Sequence, residues 1–442
     1  MIGLNLDAIL KGLPPSRTCL VNGKAHITIE EVLAMAWALR AGMPEAKGAR
    51  VALCGLAPLD LVLALVALDG HAEQILLFPG SLDSATLDGL NAQAGTTHIL
   101  TSGDRFCRPI GTRMPGQSTP APTNWLLATS GTTGTPKLIA HQLATLTRTV
   151  RADPDRGANF MWGLLYDPNR FAGLQVVLQA LYSGSALVIS ERIEFSAQLA
   201  AILDNPVNAL SATPTLWRKL LMDGRISKLP LRQLTLGGEI SDQAILDALK
   251  SQFPKARVVH IYASTEAGAG FAVKDGRAGF PAAWIENTGF SPALRINAAQ
   301  HLLIKPPLLP TGPEIIARLD SDGYLDTQDI VRFDNDRIFF MGRASGAINV
   351  GGNKVSPESL ESYLRNLDGV IDARVFAKKS SMTGQLVAAE IVLEAGSDVK
   401  VMRQHIIQSC KRNLESWEVP ALISFVNELR ENAAGKRERL TT

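Results

Sequence analysis

Two stretches of this chain alternate between short apolar runs and helical periodicity, and that alternation narrows the fold more than any other feature. Strand-like text at 50–54, 74–78 and 97–100 is separated by helical text at 59–69 and 84–94. The pattern resumes with a helix at 171–182, a strand at 186–190, a helix at 196–203 and a strand at 209–212. A helix after Pro214, a strand at 234–236, a helix at 242–252 and a strand at 257–262 complete it. Strands joined through helices run parallel, because a tight hairpin joins only antiparallel neighbours. The expectation is an α/β fold of layered parallel sheets with helices.

The flanks differ in texture. Residues 17–30 alternate around Asn22-Gly23 and predict a hairpin. A helix over 28–41 follows, with Thr28 as N-cap before Glu31. From 269 to 340 short alternating strands and Pro/Gly turns, including Asp322-Gly323 and Asn335-Asp336, predict a β-rich subdomain. Residues 343–442 read as a compact α+β unit: helix 357–367, strands 372–377 and 386–393, helix 399–413, then a polar tail. The expected division is a large domain over 1–343 and a small one over 344–442.

Composition limits the function classes. At 442 residues the chain is too long for one ordinary core, and 46% hydrophobic with 19% charged residues excludes a disordered chain. Forty-four Lys+Arg against 42 Asp+Glu give a net +2, which argues for neither nucleic acid nor an anionic membrane as partner. Cys19, Cys54, Cys107 and Cys410 form no CxxC pair and suit free thiols in a reducing compartment. The most apolar window, 51–68, is broken by Pro58 and Asp60, so no membrane span is read, and no signal peptide is read at the N-terminus. A cytoplasmic protein is expected.

Five polar clusters interrupt this background. The first, Thr129-Ser130-Gly131-Thr132-Thr133-Gly134-Thr-Pro-Lys137, follows an apolar strand-like run from Trp125. Glycines let backbone N–H groups approach phosphate oxygens, hydroxyls add donors and Lys137 adds a point charge. The spacing is not that of a Walker loop. Taken alone, the run is equally a Ser/Thr/Gly-rich surface turn. The second, Tyr262-Ala-Ser-Thr265-Glu266, stands past a buried strand, where open α/β sheets bind ligands. Beside a phosphate loop its carboxylate suits Mg²⁺; alone, it suits the first turn of a helix. The third joins Asp322-Gly-Tyr-Leu-Asp-Thr-Gln-Asp329 to Gly342-Arg343. A carboxylate can accept from both hydroxyls of a ribose, but two hairpin turns with a surface ion pair account for the same letters. The fourth, Ile348-Asn-Val-Gly351-Gly352-Asn-Lys-Val-Ser356-Pro357-Glu358, turns into a helix whose first turns carry Glu358 and Glu361. The fifth, Gly435-Lys436 in a basic C-terminal stretch, reads by itself as a solvated tail.

In this order and at these intervals the clusters resemble the adenylate-forming superfamily of acyl-CoA synthetases, peptide-synthetase adenylation domains and luciferases. The resemblance covers nearly the whole chain. His141 matches the Thr-His step that often follows the loop, and Gly237-Gly238-Glu239 falls where the family's Gly-Gly segment lines the adenine and acyl pockets. The resemblance implies a two-step reaction. A small carboxylic acid attacks the α-phosphate of Mg·ATP, giving an acyl-adenylate and pyrophosphate; a pantetheine thiol, of CoA or of a separate acyl-carrier protein, then displaces AMP. Residues 129–137 would cradle the β- and γ-phosphates. Glu266 would hold Mg²⁺, with Thr265 by the α-phosphate, and Gly238, Glu239 and Tyr262 would line the nucleotide site. Asp329 and Arg343 would fix the ribose. Lys436 would bridge the carboxylate and the α-phosphate. Tyr166, Arg170, Gly237 and Gly268 would line the acid pocket. Ser345 would be the hinge of a mobile small domain, and Gly351-Gly352 would line the pantetheine tunnel.

Some letters depart from the family pattern. Ser345 replaces the usual Asp or Lys, Gln328 replaces the Gly before the ribose aspartate, and Ala263 replaces Gly after Tyr262. Arg170 stands where acyl-CoA ligases tend to have His, and could pair a second anionic group of the acid or face solvent. The leading expectation is an acid–thiol ligase. An adenylase passing its acyl group to an amine, and a non-catalytic homologue acting as a binding protein, are the alternatives.

Overall fold

The computed structural model describes residues 5–80, 82–102, 108–109, 122–129, 137–192, 194–285, 287, 289–380 and 384–429. The chain divides into two compact units. One comprises Met1–Gly238, Leu249–Gly276 and Pro306–Leu325; the other comprises Glu239–Ala248, Arg277–Lys305 and Asp326–Thr442.

The first unit holds two sheets. In the six-stranded sheet, His98–Thr101, Arg50–Cys54, Gln74–Phe78 and Asn124–Thr129 run parallel, and Lys137–His141 closes one edge antiparallel to Asn124–Thr129. Helix Pro58–Leu68, buried along most of its length, explains why residues 51–68 are so apolar. Asp69, directly after it, is 3% exposed and accepts from the Leu6 amide at 2.9 Å and the Trp125 indole at 3.1 Å. Burial pushes its carboxyl up to about 6 against these hydrogen bonds.

In the eight-stranded sheet, Arg257–Ser264, Gln233–Gly237, Ala209–Ala212, Met161–Gly163, Ala186–Ile189 and Thr18–Asn22 run parallel. Gly268–Val273 and Ala25–Thr28 flank them antiparallel. The expected hairpin at Asn22-Gly23 and the capping box of Thr28 with Glu31 are both present. The three-residue strand Met161–Gly163 carries too short an apolar run to be read from sequence.

The second unit also has two sheets. Of the β-rich text expected over 269–340, Gly268–Val273 belongs to the eight-stranded sheet and residues 306–325 to the first unit, and the rest forms one sheet of five strands, with Leu325–Asp334 and Arg337–Arg343 turning at Asn335. The other combines Ile348–Val350, Asn353–Val355, Val370–Ser380, Gly384–Leu393 and Leu422–Phe425, covered by helices Pro357–Arg365 and Val399–Asn413. The expected polar tail therefore includes a strand, Leu422–Phe425, parallel to Gly384–Leu393. Residues 239–248 join this unit through side chains. Arg365 Nε donates to Asp242 Oδ2 at 3.2 Å with both side chains under 10% exposed, and Gln243 Oε1 accepts from the Ala278 amide at 2.9 Å. Among the described residues no helix is long and apolar enough to cross a membrane.

Candidate active site

The antiparallel pair Asn124–Thr129 and Lys137–His141 sets the ends of the hydroxyl- and glycine-rich loop, with Thr129 opposite Lys137 and Trp125 opposite His141. Ser130, Gly131, Thr132, Thr133 and Gly134 lie outside the described residues. Lys137 is half exposed, and its Nζ lies 2.8 Å from Glu314 Oε2. His141, two pleats further along the same face, is 1% exposed. Its Nε2 lies 2.9 Å from the Thr265 carbonyl and its Nδ1 3.1 Å from Thr145 Oγ1. Burial pushes this imidazole down to about 4. It is therefore neutral at pH 7, with the proton on Nε2 donated to the Thr265 carbonyl.

That carbonyl belongs to a tight turn. Strand Arg257–Ser264 doubles back into Gly268–Val273, with Ser264 paired to Gly268. The helix N-terminus that the Ser-Thr-Glu letters also allowed does not form. Thr265 and Glu266 instead stand at the tip of a hairpin. Ser264 Oγ accepts from the Ala267 amide at 3.0 Å, Gly268 takes φ +69°, and the Tyr262 ring stacks on Phe271 with centroids 5.1 Å apart. Below the turn, Arg148 Nη2 donates to Ala267 O at 3.0 Å and to Ala269 O, and Nη1 donates to Leu308 O. Burial lowers the guanidinium to about 10, so it is charged at pH 7. Glu266 lies 3.9 Å from Arg318.

Residues 306–325 belong to this unit for the same reason. The Thr311 amide donates to Ala140 O at 2.8 Å, Leu308 accepts from Arg148, Glu314 pairs Lys137, and Arg318 pairs Glu266. Gly237 ends its strand beside Ile261, so it and Tyr262 stand at the carboxyl ends of neighbouring parallel strands, and Gly238 takes φ +82°. Tyr166 is 6% exposed. Arg170 lies 3.5 Å from Asp167 within its own loop, and that loop folds back so tightly that a Cβ on Gly173 would lie 2.2 Å from Asp167 O.

The second unit carries the other candidates. Asp329 and Arg343 are register partners, with Arg343 Nε donating to Asp329 Oδ1 at 3.1 Å. Thr327 Oγ1 donates to Leu302 O at 2.7 Å and accepts from the Asp329 amide at 3.2 Å. Gln328 takes φ +60°, and its amide donates to Asp326 Oδ1 at 2.7 Å. Gly342 takes φ +125°, and a Cβ there would meet Glu358 Oε2 and Ser356 Oγ. Helix Pro357–Arg365 is thus seated on the strand that ends at Arg343. Ser345 lies in the single turn Ala344–Gly346, and Gly351 and Gly352 take φ +58° and +94° in the turn before Asn353–Val355. Glu361 is buried and accepts from the Val375 amide at 2.9 Å, so it ties helix to sheet and does not simply face the helix dipole. Glu239 belongs to this unit; Lys436 lies outside the described residues.

Among the described residues no group of three or more His, Cys, Asp or Glu could hold a metal. Glu266, partly exposed at the tip of its turn, fits a different arrangement. Mg²⁺ is commonly held by one or two carboxylates together with substrate phosphates. Arg148, Glu314 and Arg318 were not foreseen, because their partners lie 52 to 177 residues away and no local motif marks them.

Comparison with known proteins decides the family. The AMP-binding enzyme model matches residues 83–289, and the AMP-binding enzyme C-terminal domain model matches 359–436. The chain belongs to the AMP-binding enzyme family. It is an adenylate-forming enzyme, and acyl- and aryl-CoA ligases are among its relatives. The 2-succinylbenzoate–CoA ligase of Bacillus licheniformis is 26% identical over 343 residues, spanning 71% of this chain and 68% of the relative. 4-Coumarate–CoA ligase-like 9 of Arabidopsis thaliana is 27% identical over 359 residues, 74% of this chain and 62% of the relative. The solved o-succinylbenzoate CoA synthetase of Bacillus subtilis, in complex with its acyl-adenylate intermediate, superposes with a TM-score of 0.76 at 19% identity. That match covers 98% of this chain and 96% of the other, and the likeness is one of fold.

Proposed function

We propose that this protein activates a small carboxylic acid with ATP to an acyl-adenylate and transfers the acyl group to a pantetheine thiol, that of CoA. The observation that carries the reading is the hairpin tip of Thr265 and Glu266, held against the strand that leaves the 129–137 loop. Phosphoryl centres need positioning and charge stabilisation more than covalent help, and a fixed turn beside a phosphate loop supplies both. The relatives' CoA specificity supports the acceptor. A solved structure of the Bacillus subtilis o-succinylbenzoate synthetase with ATP and magnesium ion supports the cofactors.

In this reading the loop hydroxyls and amides from Thr129 to Gly134, with Lys137, bind the outgoing pyrophosphate. Lys137 releases Glu314 as it does so. Glu266 and the phosphates hold Mg²⁺, which offsets charge on the phosphate oxygens when bound, and Arg318 gives up Glu266. Thr265 orients the α-phosphate. Gly238, Glu239 and Tyr262 line the adenine site, and Asp329 takes the ribose hydroxyls with Arg343 beside it. Tyr166, Arg170, Gly237 and Gly268 shape the acid pocket. Lys436 brings the carboxylate and α-phosphate together. Residues 344–442 act as a small domain turning about Ser345, which brings Gly351 and Gly352 to the pantetheine arm. The scattered cysteines support a cytoplasmic setting.

Carboxylate-dependent ATP–pyrophosphate exchange tests the reading. Exchange with an aryl, medium-chain or dicarboxylic acid, followed by thioester formation from CoA, is expected. No exchange across such a panel overturns it, and exchange without a CoA thioester moves the acceptor to a carrier protein or an amine.

A further inference from the structure

We infer that Arg148 is a positioning residue for adenylation: with His141 it holds the alternate carbonyls of the 265–269 turn and so sets where Thr265 and Glu266 point.

Three carbonyls at spacing two, those of Thr265, Ala267 and Ala269, are gripped by two side chains of one short segment. That segment begins at the strand leaving the phosphate loop, passes through helix Leu143–Leu146, and ends at Arg148. A planar guanidinium presents its N–H groups in a rigid fork, so holding two carbonyls from one nitrogen and a third, Leu308 O, from the other fixes the relative positions of two backbone segments. Gly268 adopts φ +69°, a backbone conformation that favours glycine, and a Cβ there would make ordinary contact with the guanidinium at 3.4 Å. The Thr265 carbonyl is itself one of the three, and Glu266 lies between it and the carbonyl of Ala267. The direction of Glu266 is set by the carbonyls on either side, so loosening that row moves the carboxylate without touching it. A misplacement of about 1 Å in such a group can cost roughly a hundredfold in rate.

The inference rests on the metal role proposed for Glu266, and the test separates the two. Binding of a non-hydrolysable ATP analogue is titrated by calorimetry with and without Mg²⁺, in the wild type and in Arg148→Ala, Arg148→Lys and Glu266→Gln. Arg148→Ala is expected to raise the Mg²⁺ concentration at half-effect at least tenfold, while leaving metal-free analogue binding within twofold. Arg148→Lys, which keeps the charge and some donors, should lie between, and added guanidinium ion should return part of the loss in Arg148→Ala. Equal loss with and without Mg²⁺ overturns the inference, because that is the mark of general destabilisation. So does an unchanged Mg²⁺ dependence in Arg148→Ala where Glu266→Gln shifts it. If Glu266→Gln itself leaves the Mg²⁺ dependence unmoved, the metal role fails and the inference falls with it. Should Arg148→Ala not fold, Arg148→Lys carries the same comparison.

Discussion

Asp329 and Arg343 face each other across an antiparallel strand pair, and the arginine donates through Nε to one carboxylate oxygen at 3.1 Å. The carboxylate side chain is 13% exposed and the arginine 43%, so the pair is wet on one side. One carboxylate oxygen accepts from the arginine, and an ionised carboxylate is an acceptor through both of its oxygens.

A partly exposed pair of this kind contributes about 0–1 kcal/mol to stability. Asp329→Asn should therefore leave the melting temperature within a few degrees of wild type. It should weaken ATP binding about tenfold or more, because an ionised acceptor for a sugar hydroxyl is lost. Thermal melting and ATP titration on the same preparation check this. A large stability loss with unchanged nucleotide affinity would make the aspartate structural.

Gln328 occupies the left-handed region at φ +60°, at the position where the family resemblance has glycine. A side chain there costs on the order of 1–2 kcal/mol, partly offset by its smaller unfolded-state entropy. Gln328→Gly should raise stability by about 0.5–1 kcal/mol, read as a higher urea midpoint, with adenylation preserved. A lower midpoint would mean that the glutamine side chain holds contacts worth more than the strain.

Asp69 carries a pH signature. Its carboxyl is raised from 3.8 to about 6, mainly by burial. A folded-state value above the unfolded one adds stability that is full below pH 3.8 and lost as pH rises through 6. The span of roughly two units corresponds to about 3 kcal/mol at most. Melting temperatures of wild type and Asp69→Asn across pH 4 to 7 should diverge, with wild type losing ground as pH rises. Parallel curves would remove Asp69 as the titrating group.

Lys436→Ala should abolish acid-dependent pyrophosphate exchange, by about 10²-fold or more, since a preorganised charge at a reacting centre is worth that much. Thioester formation from supplied acyl-adenylate should survive nearly intact. Equal loss of both half-reactions would sink the role given to this lysine.

The strand–helix alternation made the parallel sheets legible, and Thr28, Asn22-Gly23 and Asn335 announced their own local structure. These are signals carried within a few residues. Met161–Gly163 and Leu422–Phe425 are not marked by their own letters, and their pairing with Ala186–Ile189 and Gly384–Leu393 defines them as strands. The site divided the same way. Lys137, Glu266, Asp329 and Arg343 sit in recognisable clusters, whereas Arg148 and Arg318 gain their meaning from residues brought up by the fold. Arg170 was legible as an odd letter, but its ion pair with Asp167 appears only once the loop has folded back on itself.

The register of Thr129 against Lys137 has a consequence for how this enzyme can change over time. Because the pairing starts on either side of the loop, residues can be added to or lost from 130–136 without shifting the ladder. Lys137, Ile139 and His141 keep their common face whatever the loop becomes. A single residue gained within Lys137–His141 does the opposite and turns the imidazole away from the Thr265 carbonyl. Residues 130–136 thus join two strands whose register does not depend on their number, and the face that carries Lys137, Ile139 and His141 stays still.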